Sequence, residues 1–414
     1  MRIHLQENKF KNDRCYYLDW LRVIAMLLVF CFHVGRVYDV PDWQIKNPQG
    51  SIGMTVFTGF VIQWLMPLFF LLAGASSYLA LRYKSKTCYI KERFQRLIIP
   101  FIFGLFILIP PQEYIQKLNE AKYNGSFINF YPHFLDGMRP VFNLQWFFAY
   151  SHNLWFLGFL FIFSLLALPI LFFVRKKSSL NFVLGVNSVC QKKGGIFLFI
   201  LPIAIIQVSL RARFAQYLDW ADFFFWFAFF LYGFLIQSDK NYKTAIVCNG
   251  FTAMLLGIVC SGILVLLLAK GYIETWELTP EYTLSFALYQ ILRTINTWSW
   301  IVFLLSMSIK YMSKPNRLLK YANEAALPFY MIHQTVLFIA AFFIIQLHLS
   351  IILKFLLTFV LTFLFTTSIY EMFVRRFHVA RFIFGLKRLE GKRSNSSVGN
   401  NLSTSIRNDS SLNY

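Results

Sequence analysis

The chain has 414 residues, of which 57% are hydrophobic and only 14% are charged. In soluble globular domains about a quarter of all residues are charged, so this composition excludes an ordinary soluble fold and predicts a polytopic membrane protein. The charge is basic, with 40 Lys and Arg against 19 Asp and Glu. These basic residues lie mainly between apolar runs, where topology and anionic lipid explain them, so nucleic acid is not expected as a partner.

Apolar runs long enough to cross a lipid bilayer define the predicted fold. A membrane-spanning helix needs about 20 mainly apolar residues, and about ten runs approach that length. We therefore predict an all-α, polytopic membrane helical bundle of about ten transmembrane helices, over these residues: 17–36, 55–80, 97–112, 154–174, 195–210, 220–237, 244–269, 284–309, 324–346 and 351–374. The first run follows a basic start but contains no small-residue cleavage site, so we expect a mature helix and not a signal peptide.

The distribution of basic residues predicts the orientation of this bundle. If the N-terminus is cytoplasmic and the runs alternate, inner segments hold 29 Lys and Arg and outer segments hold nine. This asymmetry predicts that both termini are cytoplasmic in a multi-pass protein of the cell inner (plasma) membrane. The predicted domains are a cytoplasmic N-terminus (1–16), a membrane domain (17–388) and a disordered, Ser/Asn-rich cytoplasmic tail (389–414). The stretch 113–153 is expected to form the longest outer loop.

The first run, "LDWLRVIAMLLVFCFHVGRVYD", contains two ionisable residues, Arg22 and His33. They are eleven residues apart, which at about 100° per residue places both on one helix face, separated by about 16 Å along the axis. A charge within the membrane costs on the order of 2.5–3.5 kcal/mol, so such residues usually face the bundle interior and serve function. The structural alternative is an arginine that extends to the interface and a histidine bonded to a neighbouring carbonyl.

A second pair of arginines stands in "YIKERFQRLIIP", where the third run begins. Arg93 and Arg96 are three residues apart and therefore share a helix face. Two guanidinium groups in this arrangement can hold a phosphate by forked hydrogen bonds. The alternative is that they are part of the positive charge that sets topology.

Three further ionisable residues are placed in or beside later runs. His333, in "LPFYMIHQTVLF", and Arg293, in "LYQILRTINTW", each lie about nine residues into a run, near the expected membrane midplane. Glu324 stands at the entrance of the same run as His333. Each is a possible supporting residue for a site, and the alternative is a polar contact between packed helices.

Other candidates lie at the outer ends of the predicted helices. His152 and Trp155, in "SHNLWFLGF", stand at the mouth of the fourth run, where Trp155 also suits an aromatic belt at the lipid surface. Asp39, Asp42 and Glu113 lie at outer ends and are candidates to orient His33, because a carboxylate that fixes the tautomer of an imidazole is a common arrangement.

Motifs for other chemistry do not occur in the sequence. There is no GxSxG, no Walker loop, no HExxH and no Cys/His spacing typical of a metal site. The six cysteines are scattered and form no CxxC pair, so we interpret them as unpaired packing residues. We expect no bound metal and no permanently bound cofactor.

Together these residues resemble the membrane acyltransferase 3 family. Its signature is an Arg and a His separated by ten residues in the first membrane helix, followed by RxxR. The resemblance runs from about residue 14 to 388 and is closest to the branch typified by glucan biosynthesis protein C. The segments that carry it are "YYLDWLRVIAMLLVFCFHVGR", "MPLFFLLAGASSYLALR", "HNLWFL", "NEAALPFYMIHQTVLF" and "YEMFVRRF".

The resemblance implies a function and roles for four residues. The function is transfer of an acyl group from a cytoplasmic acyl-CoA, such as acetyl-CoA or succinyl-CoA, to a hydroxyl of a periplasmic or surface carbohydrate. Such O-acetylation or succinylation belongs to carbohydrate modification in the cell envelope, including glucan biosynthesis. His33 would be the catalytic residue, and Arg22, Arg93 and Arg96 would bind the donor or organise the site. The lipid bilayer, the acyl donor and the carbohydrate acceptor are the expected partners.

Two other classes of function stay open at the level of sequence. A transporter or flippase would use His33, His333 and Arg293 to line a polar path. A non-catalytic membrane sensor would tolerate loss of both Arg22 and His33. Within the acyltransferase hypothesis, direct transfer and an acyl-histidine intermediate are both compatible with the sequence.

Overall fold

A computed structural model describes residues 15–138, 150–174, 185 and 188–387, and within these ranges the chain is helical with no strand. Its main helices, named in chain order, are the following: α1 Tyr16–Tyr38, α2 Ile52–Leu81, α3 Lys86–Arg93, α4 Ile99–Ile107, α5 Ile109–Asn119, α6 Phe127–Gly137, α7 Trp155–Val174, α8 Ile200–Leu210, α9 Trp220–Ser238, α10 Lys240–Ala269, α11 Tyr272–Leu278, α12 Leu284–Tyr311, α13 Arg317–Ile344, α14 Ile351–Ile369 and α15 His378–Ile383. The predicted all-α class is confirmed. The predicted tail (389–414) and nearly all of the predicted N-terminal segment (1–16) lie outside the described residues.

Eight helical segments of the described chain are long and apolar enough to cross a membrane, and they coincide with eight of the ten predicted runs. The fifth predicted run forms the shorter apolar helix Gly195–Leu210. The eighth run forms α12, which is 28 residues long but is not among the eight. The count of ten and the orientation of the termini therefore stay predictions.

Helix α12 is less apolar than its neighbours because it packs polar side chains inside the protein. The polar residues on its buried side are Gln290, Thr294, Asn296, Thr297, Ser299, Ser306 and Ser308. Asn296 donates a hydrogen bond to Gln63 of α2 at 2.8 Å, and Thr297 donates to the Gln63 carbonyl at 3.0 Å. Average hydropathy cannot distinguish such a buried polar stripe from a helix that faces water.

The stretch 113–153, predicted to be the longest outer loop, contains regular helices, and its position outside the membrane stays a prediction. Helix α5 continues into it, and α6 occupies its centre. Ser126 begins α6 by accepting a hydrogen bond from the amide at the third position of the helix, at 3.3 Å, which is an N-cap. Phe130 and Phe134 lie one turn apart and are buried on the inner face of α6. Residues 139–149 lie outside the described residues.

Helix α1 lies where the site will be assembled, in contact with α2, α12, α13 and α14. The two ends of the bundle can be named from this helix and from α2, which returns antiparallel to it. We call the end that contains Arg22 and Arg93 the arginine face. We call the end that contains His33, near the C-terminus of α1, the histidine face.

Helices α2 and α9 approach each other closely through a pair of glycines. A Cβ atom on Gly74 would lie 1.8 Å from the carbonyl oxygen of Phe230, and one on Gly233 would lie 1.8 Å from the carbonyl oxygen of Leu71. The backbone of each helix therefore occupies the space that a side chain of the other would need. Small residues permit this contact in membrane bundles.

We expect Gly74→Ala and Gly233→Ala each to destabilise the bundle. The added methyl group must force the two backbones apart, and overpacking of this kind costs about 1–3 kcal/mol or more. Thermal unfolding of the detergent-solubilised protein would measure the effect. Gly262→Ala on α10 is the matched control, because no atom lies within 4 Å of a Cβ there. Equal unfolding temperatures for all three variants would contradict the close crossing.

Candidate active site

The first helix carries both predicted polar residues on the side that faces α13. Arg22 donates from Nη1 to Oδ1 of Asn323 at 2.8 Å, and farther along α1 His33 meets His333. Asn323 and His333 both belong to α13, so the predicted placement of Arg22 and His33 on one helix face is confirmed. The two contacts are separated by about 16 Å of α1 and about 15 Å of α13, so these helices run side by side in the same direction.

His33 and His333 form a hydrogen-bonded pair at the histidine face. Nδ1 of His33 lies 2.9 Å from Nε2 of His333. The other ring nitrogen of His333, Nδ1, lies 3.1 Å from the carbonyl oxygen of Phe329, one turn earlier in α13. A carbonyl oxygen only accepts, so Nδ1 of His333 must carry a proton and donate it. His333 is fully buried, so the packing of α13 holds this tautomer.

This chain of hydrogen bonds determines which nitrogen of His33 can act as a base. With the proton of neutral His333 on Nδ1, its Nε2 is an acceptor, so Nδ1 of neutral His33 must donate to it. Nε2 of His33 then holds the free lone pair. His33 also lines a cavity. A free lone pair on a residue that lines a cavity is what a general base or a nucleophile requires.

The cavity beside His33, which we call the proximal cavity, has a volume of about 790 Å³. Sites for small molecules commonly have volumes of about 300–1,000 Å³. Trp43 forms part of the wall and stacks on His33, with ring centroids 6.0 Å apart and an interplanar angle of 13°. The cavity is therefore large enough for a ligand and has the candidate base His33 in its wall.

Two buried amide carbonyls in this wall lack hydrogen-bond donors. Asn153 and Gln334 are 5% and 3% exposed, and both line the proximal cavity. Oδ1 of Asn153 and Oε1 of Gln334 accept no hydrogen bond from any residue that the structure describes. Buried carbonyl oxygens are normally paired, so these two amides leave hydrogen-bonding capacity unused at the cavity wall, with the oxygens themselves enclosed.

The predicted carboxylate Asp39 belongs to a different cluster. It is fully buried and accepts hydrogen bonds from Arg36 and Lys46 at 2.6 Å each and from Thr58 at 2.9 Å. Among the described contacts, none joins Asp39 to His33. The carboxylate is held by two cations and a hydroxyl, and the orientation of the catalytic candidate comes from α13 instead.

Glu113 is likewise paired with another histidine of the proximal cavity. Its Oε2 lies 3.2 Å from Nε2 of His152, whose Nδ1 is 2.7 Å from Nε2 of Gln44. Since the Gln44 amide donates, Nε2 of His152 carries the proton and donates it to Glu113. His152 also has a backbone φ of +42°, a left-handed conformation that costs of order 1–3 kcal/mol in a non-glycine residue and often marks a functional site.

The remaining supporting candidates divide between the two faces. Trp155 is 7% exposed and lies in the wall of the proximal cavity, inside the protein and away from a lipid-facing belt. Arg293 lines the same cavity and lies 3.6 Å from Glu277. Glu324 is at the arginine face, where it pairs with Arg381 at 2.7 Å. The structure thus groups Trp155 and Arg293 with the histidine pair and separates Glu324 from it.

At the arginine face, two of the predicted arginines bind consecutive serines of α2. Arg22 donates from Nη2 to Ser76 at 2.8 Å and from Nη1 to Asp19 at 2.9 Å. Arg93 donates to Ser77 at 2.9 Å. Since Arg22 also binds α13, it connects three helices, and its hydrogen bonds organise this face.

Arg96 is the most accessible of the three arginines. It lies in a π-helical turn, Phe94–Ile98, two residues before Pro100, which has no N–H to bond the carbonyl of residue 96. Its side chain is 52% exposed and lies 3.8 Å from Glu92. Arg96 also interacts electrostatically with Arg93 and Arg22, so the three cations form one cluster. Such a cluster can attract an anionic group such as a phosphate.

Sequence reasoning did not select several residues that line the proximal cavity. Trp43, Asn153 and Gln334 are the clearest of them. Asn153 and Gln334 each follow a selected histidine directly, in "SHNL" and "IHQT". The available signal was a pair of adjacent polar residues inside an apolar run. Adjacent residues of a helix point about 100° apart, so the sequence does not predict that both line the same cavity.

Comparison with known proteins identifies the class to which this site belongs. A family model described as an acyltransferase domain, that of the acyltransferase 3 family, matches residues 16–371. The chain therefore belongs to this family of acyltransferases. Of the functional classes that the sequence left open, this finding supports the enzyme.

The chain is also similar to glucans biosynthesis protein C from several strains of Escherichia coli. It is 34% identical over 106 residues to the proteins of strain K12 and of strain O1:K1 / APEC. This match covers 25% of the chain and 27% of the length of each relative. The match thus spans only about a quarter of the length of these curated relatives. No solved structure matches it.

Proposed function

We propose that the protein transfers an acyl group from a cytoplasmic acyl-CoA-type donor to a hydroxyl of a periplasmic or surface carbohydrate. The observation that carries this proposal is the hydrogen-bond chain from the Phe329 carbonyl through His333 to His33, which leaves Nε2 of His33 with a lone pair beside a cavity. The proposed location is the inner membrane, with the histidine face directed outward.

The lining of the proximal cavity supports a hydroxylated acceptor. Asn153 and Gln334 bring side-chain amides with unused hydrogen-bonding capacity to its wall, and hydroxyl groups are suitable partners for such amides. Trp43 and Trp155 add flat apolar surfaces, against which the C–H face of a sugar ring packs while its hydroxyls reach polar groups. A purely apolar acceptor would leave this hydrogen-bonding capacity unused.

The reaction needs one proton to move twice. Nε2 of His33 takes the proton from the acceptor hydroxyl as its oxygen attacks the thioester carbonyl. The C–O bond forms, the C–S bond breaks, and the departing thiolate takes the proton from the His33 imidazolium. His333 stabilises the imidazolium by accepting the hydrogen bond from its Nδ1–H. No external oxidant, reductant or second base is required.

A covalent route uses the same lone pair. Nε2 of His33 would then attack the thioester itself and pass the acyl group to the acceptor in a second step. Incubating the protein with radiolabelled acyl-CoA alone distinguishes the two routes. Label retained on His33 after rapid quenching supports the acyl-histidine intermediate, whereas its absence during active turnover supports direct transfer.

The arginine face is the proposed entry for the donor. Its cluster of Arg22, Arg93 and Arg96 is suited to the phosphates of a nucleotide. The thioester must then reach His33, about 16 Å farther along α1, a span that suits an extended pantetheine-type arm. In this proposal the phosphates stay at the cytoplasmic side while the reactive end enters the membrane.

We expect Arg96→Ala to raise the KM for the donor about three- to tenfold with little change in kcat, because it removes one charge-assisted hydrogen bond to the phosphates. Arg317→Ala is the matched control, since Arg317 is also an exposed arginine at the arginine face. Steady-state kinetics with varied acyl-CoA would measure the effect. An equal change in both variants would indicate general surface electrostatics and not a donor site.

The function itself is tested in sealed proteoliposomes with acyl-CoA on one side and a glucan on the other. The expected result is acylated glucan, detected by mass spectrometry, only when donor and acceptor are on opposite sides. Acylation of the glucan with both reagents confined to one side would contradict transfer across the bilayer. Absence of acylated glucan with acetyl-CoA and with succinyl-CoA would contradict the proposed donor and acceptor.

A further inference from the structure

A second cavity adjoins the proximal cavity at the histidine face. This distal cavity has a volume of about 390 Å³. The two cavities share wall residues, among them Gln63, Tyr217, Glu277 and Arg293. The shared wall residues place the two cavities directly beside each other, with His33 in the proximal one only. We refer to the pair as one cleft with two lobes, and a ligand held at His33 would reach the distal lobe by passing these shared residues.

A buried glutamine of α12 lines the distal cavity and has an unpaired acceptor. Gln290 is 1% exposed, and its Oε1 accepts no hydrogen bond from any residue in the described part of the chain. This is the same condition found for Asn153 and Gln334 in the proximal cavity. Each lobe thus has in its wall a buried side-chain amide whose hydrogen-bonding capacity is not fully used within the described chain, which suits a ligand that carries hydroxyl groups.

The walls of the distal cavity are strongly aromatic. Trp226 and Trp276 line it together with Tyr217. The ring of Trp276 packs against Tyr289, with centroids 5.1 Å apart, so it is held in place on the short helix α11. Aromatic faces beside isolated hydrogen-bonding groups suit a sugar ring, which has apolar C–H faces and a polar edge.

The charges along the cleft are balanced. Its lining contains three arginines and three carboxylates: Arg36, Arg211, Arg293, Asp42, Asp222 and Glu277. Arg211 pairs with Asp222, and Arg293 lies beside Glu277. A site for an anionic ligand would carry an excess of cations. The cleft is instead complementary to a neutral ligand.

We propose that the distal cavity is a subsite for a second, neutral sugar unit of the acceptor. The acceptor is then an oligosaccharide that is acylated on the unit beside His33 while a neighbouring unit is held by Gln290 and Trp276. This inference rests on the proposed function, because it assumes that the proximal cavity binds the acceptor sugar. The subsite requires an acceptor of at least two sugar units, whereas the chemistry at His33 requires only one.

Equilibrium binding tests the subsite without requiring catalysis. The His33→Ala protein would be titrated with glucose and with neutral glucose oligomers of two to five units, followed by tryptophan fluorescence and calorimetry. We expect the oligomers to bind at least about tenfold more tightly than glucose, and Gln290→Leu to remove about tenfold of this gain. Trp276→Ala, a change at the rim of the cleft, should also reduce oligomer binding and leave glucose binding unchanged.

Gln237→Leu is the matched control. Gln237 is also a buried glutamine, but it lies at the opposite face, where it binds Tyr17 at 2.7 Å. Equal binding of glucose and its oligomers, or equal losses in the Gln290→Leu and Gln237→Leu proteins, would overturn the subsite. Tighter binding of glucuronate oligomers than of neutral ones, or displacement of the sugars by short-chain lipids, would also overturn it.

Transfer assays separate this inference from the proposed function. Length-dependent binding without any acyl transfer would support the subsite and refute the proposed reaction. Transfer to glucose and to its oligomers with equal kcat/KM would support the reaction and refute the subsite. Both proposals are supported if oligomers are acylated preferentially and Gln290→Leu lowers kcat/KM for them alone.

Discussion

Replacement of His33 by alanine is expected to reduce acyl transfer by about 10²–10⁴-fold, which is the usual contribution of a general base. The variant loses Nε2 of His33, the ring nitrogen that keeps a free lone pair when Nδ1 is bonded to His333. His33 lines the proximal cavity. If the acyl group is carried covalently, the loss will be at the upper end of this range. Acyl transfer to a glucan acceptor, followed by mass spectrometry, measures the effect.

The matched control is His348→Ala, which makes the same change at an exposed position beyond α13. It should retain full activity. The His33→Ala protein should also keep its unfolding temperature to within a few degrees, because His33 is only partly buried. Retention of more than a tenth of wild-type transfer by a folded His33→Ala protein would exclude His33 as the base or nucleophile.

Replacement of His333 by phenylalanine is expected to lower kcat about 10–100-fold, the usual cost of removing a residue that orients a functional ligand. The phenyl ring fills similar space but cannot accept the hydrogen bond from Nδ1 of His33. His33 then loses the partner that fixes its tautomer. The KM for the donor should change little, since His333 is remote from the arginine face. Steady-state kinetics would separate the two parameters.

Two further measurements distinguish a positioning role of His333 from simple packing. His333→Gln supplies an amide carbonyl that can accept the same hydrogen bond, so it should recover part of the lost kcat. Nitrogen NMR of labelled histidine should show the Nδ1–H tautomer of His33 in the wild-type protein and a mixture in His333→Phe. Equal kcat losses in the two variants, with an unchanged tautomer, would reduce His333 to a packing residue.

Much of the helical architecture could be predicted because lipid imposes a simple length and composition rule. Eight of the predicted runs coincide with helices that satisfy it. The stretch 113–153, predicted to be an outer loop, is rich in Tyr, Phe, Asn and Pro. It contains α6, whose buried face consists of only a few aromatic residues. A short amphipathic helix of this kind does not differ enough from an aromatic loop in composition.

The sequence predicted individual residues of the candidate site but not which of them contact each other. The cost of burying charge selected His33 and Arg22, and the helical period placed them on one face. The sequence also selected His333 but gave no partner for it, since residues 33 and 333 are separated by 300 positions. Asp39 was expected to orient His33, but Arg36 and Lys46 surround its carboxylate.

The sequence by itself determined that this protein is a helical membrane bundle and which ionisable side chains it contains within apolar helices. Both follow from the free energy of transfer into lipid, a property that each segment has independently of the others. Only the tertiary structure decided that His33 pairs with His333 and that Gln290 lines a cavity beside that of His33. Those outcomes depend on the relative rotation and translation of α1, α12 and α13, which side-chain packing between distant segments sets and no local pattern records.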